Sequence, residues 1–240
     1  GQNDSDNSGV LRYVSIRHGG AELSPGDEIN GLTLGAVGDG TVIEHVEVVS
    51  NSDDGIEFFG GTVGVKYASV AFCGDDAFDW DLGYRGKGQF WFALVAEDTG
   101  DNTGELDGAK PDDGEPHAAP TLYNITFLGA GCDGGAQNNT GLLFRDGSGG
   151  FVYNSIIGDN KFGIEVEDIP AGLDSRQRME NGELVLANNI WWGFCNGNEL
   201  QAGDGGFLRP SENAEDPTAQ FLVDHLAANA NVVTDPLFAN

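Results

Sequence analysis

The residues in this chain best placed to do chemistry are two short acidic segments. Asp53-Asp54-Gly55-Ile56-Glu57-Phe58 recurs as Asp75-Asp76-Ala77-Phe78-Asp79-Trp80, and matched positions are always 22 residues apart. A repeat of that length is one coil of a stacked solenoid. Residues one coil apart then lie over one another at the strand spacing of about 4.8 Å, so carboxylate sits over carboxylate. Two carboxylates ~5 Å apart repel by about 1 kcal/mol in water and roughly 3 kcal/mol at the dielectric of a protein surface. A column of them demands raised pKa values or a bound cation. Oxygen-only donors at irregular spacing suit Ca²⁺, which takes roughly six to eight oxygens in flexible geometry. No His or Cys falls in the column, which argues against zinc.

The elements that must position these acids are strand-like runs with period-2 alternation. One series is Tyr13–Ile16, His45–Val48, Tyr67–Val70, Trp91–Leu94, Tyr123–Phe127, Tyr153–Ile157 and Asn188–Trp191. A second falls between its members: Gly31–Leu34, Gly55–Phe58, Ala77–Trp80, Gly104–Asp107, Gly141–Phe144 and Gly163–Val166. Two interleaved series, apolar at every second position, describe the sides of an all-β, right-handed parallel β-helix. A β-sandwich lacks a fixed offset, and a propeller blade needs ~40 residues or more. In the second series Ile56, Phe58, Phe78, Trp80 and Leu106 point inward. The outer face then carries Asp53, Glu57, Asp75, Asp79, Asp81, Glu105 and Asp107, with Asp54 and Asp76 at the adjoining corner. These nine are the candidate calcium ligands.

The remainder of the chain reads as one β-helix domain over 1–240 with insertions. There are 38 glycines, and 39 acids against 11 Lys plus Arg give a net charge of −28. That charge excludes nucleic acid and anionic membrane as partners, since both are polyanions. Hydration of the surface in a salty medium accounts for part of it, but not for acids clustered at one period. Residues 96–120 read as an acidic loop projecting beside the ladder, and 168–182 and 196–216 as further insertions. Ala219–Leu226 has helical spacing, with Thr218 available as N-cap, inside a C-terminal cap over 217–240 that blunts the last strand edge. Asn124, Asn154 and Asn188 suit tight corners. Cys73, Cys132 and Cys195 have no metal-ligand spacing and allow one disulfide plus a free thiol or three buried thiols. Trp91 and Trp192 are the aromatics that an outward orientation would make sugar platforms, and His18, beside Gly19 and Gly20, reads as a turn residue. No apolar run is long enough to span a bilayer.

Asp53–Val63 and Gly74–Phe90, together with Asn7–Val14, Pro120–Thr126 and Tyr153–Ile156, resemble a group of secreted bacterial parallel β-helix proteins of marine or Bacteroidetes type, mostly without assigned activity. The resemblance covers roughly residues 7–167. In that group further coils usually precede the Asn-Ser-Gly-Val-Leu segment, which implies a chain shortened by N-terminal coils. Asp75-Asp76-x-x-Asp79, with Asp53 one coil earlier, is similar to the calcium site of family 9 pectate lyases. That similarity implies Ca²⁺ holding an acidic sugar while a basic residue removes the proton next to its carboxylate. The strand that carries that family's lysine reads Gly104-Glu105-Leu106-Asp107 here, with an acid where the base should be, and Arg85, Lys87 and Lys110 are the candidate bases out of pattern. Asn51-Ser52-Asp53 and Gly74-Asp75-Asp76 are also similar to the paired acids of β-helical polygalacturonases, but the Gly-His-Gly and Arg-Ile-Lys motifs of that family are missing.

Three functional expectations follow. The first is a secreted or cell-surface calcium-binding module, carbohydrate-associated or adhesive and non-catalytic, facing an acidic polysaccharide or another surface component. The second is a Ca²⁺-dependent polysaccharide lyase on uronic-acid polymers. The third, resting on the acid pairs alone, is a β-helical glycoside hydrolase.

Overall fold

The computed structural model describes residues 3–24, 29–132, 139–170 and 172–238. Among them twenty strands and two helices wind into a parallel β-helix. In the first coils one long strand covers two faces: β1 (Val10–Arg17), β3 (Val42–Val49) and β5 (Val65–Ala71). Later coils split it. One half gives β7 (Lys87–Gln89), β10 (Thr121–Tyr123), β13 (Gly150–Tyr153) and β16 (Leu184–Ala187). The other gives β8 (Phe92–Leu94), β11 (Thr126–Leu128), β14 (Ile156–Gly158), β17 (Ile190–Trp192) and β20 (Val232–Val233). Together these form a 12-stranded sheet. The remaining face is an 8-stranded sheet of β2 (Leu32–Gly35), β4 (Ile56–Phe59), β6 (Phe78–Asp81), β9 (Gly104–Asp107), β12 (Thr140–Arg145), β15 (Phe162–Val166), β18 (Glu199–Ala202) and β19 (Gly206–Arg209). The coil therefore has three faces where the sequence pattern shows two. The added face consists of three- and four-residue strands, too short to display alternation.

The split falls at a corner of left-handed backbone. Tyr13, His45, Tyr67, Phe90, Asn124, Asn154 and Asn188 all have φ between 54° and 59°. Asn tolerates this conformation, which explains the three corner asparagines, whereas aromatic residues rarely adopt it. Here the rings stack along the axis, Tyr13 on His45 at 4.6 Å, His45 on Tyr67 at 4.5 Å and Tyr67 on Phe90 at 5.2 Å. His18, also at positive φ, is the expected turn residue.

The core lies between the faces. Phe58, Phe78, Trp80, Trp91, Leu106, Phe127 and Phe144 are buried, and Trp91 stacks between Phe58 at 5.5 Å and Phe78 at 4.6 Å. Each such side chain contributes about 1.5–3 kcal/mol of burial. Trp91 is thus a core residue, its indole N–H donating to the Val65 carbonyl at 2.9 Å, while Trp192 is partly exposed. At Gly55 a Cβ would come within 2.2 Å of the Val70 side chain and 2.5 Å of the Ala77 carbonyl, so the coil closes there only on glycine.

The peripheral segments differ from expectation in detail. The stretch 96–120 carries β9 in its middle, because Leu106 is needed in the core, and so does not project as one loop. The insertion 168–182 holds a short helix, α1 (Ser175–Glu180), capped by the Asp174 carboxylate. The C-terminal helix, α2 (Gln220–Ala228), starts after Ala219, and Asp216 rather than Thr218 accepts from the Gln220 N–H at 2.8 Å. It covers the edge of β16, where the Leu186 N–H donates to His225 Nε2 at 3.1 Å. Cys132 and Cys195 form a disulfide, and Cys73 is a buried thiol.

Candidate metal centre

β4, β6 and β9 carry the acidic ladder. Their register sets Glu57 beside Asp79 and Asp79 beside Glu105. Strand alternation sends Phe58, Trp80 and Leu106 into the core and turns these acids outward.

A second ladder runs through the corner that feeds these strands. The Asp54 carboxylate accepts from the Asp76 N–H at 3.0 Å, and the Asp76 carboxylate from the Asn102 N–H at 2.6 Å. One coil on, the Asn102 side-chain carbonyl accepts from the Thr140 N–H at 3.1 Å. All three side chains are buried. Asn102 does with a neutral amide what Asp54 and Asp76 do with carboxylates. The corner therefore needs an acceptor, not a charge. Burying a carboxylate costs more than burying an amide, so the charges at 54 and 76 call for a further reason.

The acids gather into three overlapping triplets: Asp53, Asp54 and Asp75; Asp54, Glu57 and Asp79; Asp75, Asp76 and Asp101. Within each, one oxygen per residue lies within 4.8 Å of the others. Two oxygens on opposite sides of one Ca²⁺, each bonded at about 2.3–2.6 Å, stand about that far apart. Asp79 Oδ1 is buried and has no hydrogen-bond partner among the described residues. The Asn30 amide donates to Glu57 Oε2. The Cys73 thiol nearby is held protonated by burial, its pKa pushed up to about 11, and adds no soft ligand.

Electrostatics follow from this crowding. Burial, then the charges of Asp53, Asp75 and Glu57, pushes the Asp54 carboxyl up to about 8. Burial raises Glu57 to about 7 against the hydrogen bond from Asn30. Asp79 goes up to about 10, through burial first and then Asp54, Glu57, Glu105 and Asp107. Asp76 stands well above the usual carboxylate range, again from burial first and then Glu105.

The far end of the ladder is neutralised differently. Arg145 of β12 holds both oxygens of Asp107 at 3.0 Å and lies 2.8 Å from Glu105 Oε2. Asp81 stands 3.6 Å from Lys110 Nζ. Of the nine acids expected as ligands, Asp53, Asp54, Glu57, Asp75, Asp76 and Asp79 enter the triplets, while Asp81, Glu105 and Asp107 face cations.

The three candidate bases disperse. Arg85 pairs with Asp4 at 3.0 Å and donates to the Gly83 carbonyl at 2.9 Å. Lys110 bridges Asp81 and Asp146, the latter at 4.0 Å. Lys87 lies on β7, in the other sheet.

Two contributors escape the sequence pattern, Asp101 and Arg145. Asp101 follows Asp75 by 26 residues instead of 22 because the intervening coil is longer. The signal that marks it is Gly100-Asp101-Asn102, which matches Gly74-Asp75-Asp76. Arg145 follows Asp107 by 38 residues across an insertion. Beside it opens a polar cleft of 330 Å³ lined by Asp101, Glu105, Arg145, Glu165, Glu167 and Arg209.

A family model described as a pectate-lyase like beta helix domain matches residues 1–202. No curated protein and no solved structure gives a match.

Proposed function

The chain belongs to the pectate-lyase like beta helix family, and we propose that it is a calcium-binding member, carbohydrate-associated, secreted or displayed at the cell surface, and non-catalytic. One observation carries the metal. Asp54 and Asp76 accept a backbone N–H at a corner position where neutral Asn102 makes the same bond in the next coil, and beside them Asp79 Oδ1 is buried without a partner among the described residues. Charge in excess of what the fold uses, gathered within calcium's oxygen–oxygen span, is the chemistry of a hard-cation site. Deprotonated Asp53, Asp54, Glu57, Asp75, Asp76, Asp79 and Asp101 would hold the ion or ions.

The non-catalytic reading rests on the basic side chains. Arg85 and Lys110 are each tied to carboxylates, Lys110 is held protonated chiefly by Asp81, and Lys87 lies on the sheet that does not carry the acids. None is poised to take a proton. The polar cleft at the end of the ladder keeps the lyase reading as the second one. Calorimetric titration of metal-free protein with Ca²⁺ and with Mg²⁺ tests the site. Saturable Ca²⁺ binding in preference to Mg²⁺, without release of unsaturated product from pectate, alginate or ulvan, is the expected result. Product absorbance would establish the lyase, and no heat with either ion would end the metal reading.

A further inference from the structure

Basic side chains are scarce in this chain, and most are already spoken for. Of the 11 Lys and Arg, Arg12, Arg17, Arg85, Lys110, Arg145, Arg176, Arg178 and Arg209 form ion pairs. Among the described residues Lys66, Lys87 and Lys161 do not. Two of those three line one groove of 550 Å³, a size typical of ligand sites.

The groove lies on the 12-stranded sheet, away from the acidic ladder. Register places Lys66 of β5, Gln89 of β7 and Tyr123 of β10 in one outward column. Lys87 and Thr121 are adjacent in a parallel column. The floor is low beside Lys87 because Gly64 contributes no side chain there. The Lys66 ammonium stands 5.1 Å from the Tyr67 ring centre and 5.6 Å from that of Phe90, so it leans over the aromatic corner. Tyr67, Phe90 and Tyr123 are each about two-fifths exposed, leaving ring surface at the groove rim.

We propose that this groove binds an acidic oligosaccharide, its carboxylates meeting Lys66 and Lys87 and its sugar rings lying against Tyr123 and the Tyr67–Phe90 edge. Cations with no carboxylate paired to them among the described residues, in a chain of charge −28, select an anion. Aromatic edges with Gln89 and Thr121 between them suit the mixed apolar and hydroxyl surface of a sugar. The remote acidic face is screened beyond a Debye length of about 8 Å at physiological salt, so the local lysines set the preference. A duplex nucleic acid, with one charge per about 1.7 Å, would be repelled most strongly. The site needs no metal and stands apart from the calcium reading.

Binding of oligogalacturonate to the whole chain in EGTA tests it, with a sulfated oligosaccharide, a neutral xylo-oligosaccharide and poly-glutamate as comparisons. Micromolar-to-millimolar binding of the acidic sugars, weakened by salt, and none of the neutral one is expected. Uronate over sulfate, or the reverse, identifies the anion. Lys66→Gln with Lys87→Gln should weaken binding about tenfold or more. Gly64→Leu should block the groove without disturbing the fold, since a Cβ there meets only Lys87 atoms at 3.4 and 3.9 Å. No binding by the wild type, equal binding of neutral sugar or poly-glutamate, or unchanged affinity in both well-folded variants would overturn the proposal.

Discussion

The replacement Asp79→Asn separates a metal site from a merely acidic wall. Asp54, Glu57 and Asp79 each place one oxygen within 4.8 Å of the other two. At an effective dielectric near 20, one ionised pair at that distance costs about 3.5 kcal/mol, and three pairs about 10. That rivals the whole stability of a typical domain, about 5–15 kcal/mol. The metal-free protein therefore keeps protons there, as the displacement of Asp79 up to about 10 expresses. On the proposed reading, calcium would replace the protons. At a hundredfold excess over its dissociation constant it stabilises the fold by about 2.7 kcal/mol. For 240 residues that is about 5–10 °C in melting temperature. Wild-type protein should gain this increment in Ca²⁺ near pH 8 and lose it in EGTA. Asp79→Asn removes two of the three repulsive pairs and gives the orphaned position a donor. In EGTA it should melt at or above wild type, and its calcium increment should collapse. Differential scanning calorimetry reads both. An equal calcium shift in the variant, or no shift in wild type at saturating metal, would refute the reasoning.

Three further outcomes are expected. Glu57, Asp54 and Asp79, raised to about 7, 8 and 10, bind more protons folded than unfolded. Their stabilisation in EGTA is complete below about pH 4 and is lost as pH rises through those values, so the metal-free melt should fall from pH 5 to about pH 9 and calcium should rescue it most at the alkaline end. Arg145→Gln strands buried Asp107 and half-buried Glu105 and should cost about 2–3 kcal/mol in a denaturant titration, whereas Arg12→Gln, at an exposed pair, should cost under about 1. Reducing Cys132–Cys195, which spans 63 residues, should lower stability by about 3–4 kcal/mol, seen as a drop in denaturation midpoint with dithiothreitol.

What the sequence revealed tracks where the coils keep their period. Asp53–Phe58 and Asp75–Trp80 show the stacking because nothing is inserted between them, and Glu57 does lie beside Asp79. Beyond Asp81 the coil lengthens, and Asp101 and Arg145 drop out of phase, although backbone pairing returns both to the ladder. The third face was hidden for a different reason. Its boundary is a conformational switch, and Tyr13, Tyr67 and Phe90 carry little propensity for positive φ, with His45 only modestly favoured there. Their signal is only that aromatic follows aromatic at one coil position, which becomes visible as ring stacking once the coils are in register.

The same logic of position against chemistry bears on the ladder itself. A solenoid rewards whatever side chain satisfies its own coil and the next, so a stacked column tends toward residues that neutralise one another. The corner obeys this at Asn102, and the long-strand column does so at Arg12 and Glu44, which pair across adjacent coils. The acids at 53, 54, 57, 76 and 79 stack like charge on like charge over two consecutive coils, and the rule returns at Arg145, where a cation is built in. Where the chain supplies its own cation it does so with a bidentate guanidinium. Where it does not, carboxylates of two coils crowd into one patch, and a dissolved divalent ion is the partner that matches its oxygen spacing and its sign.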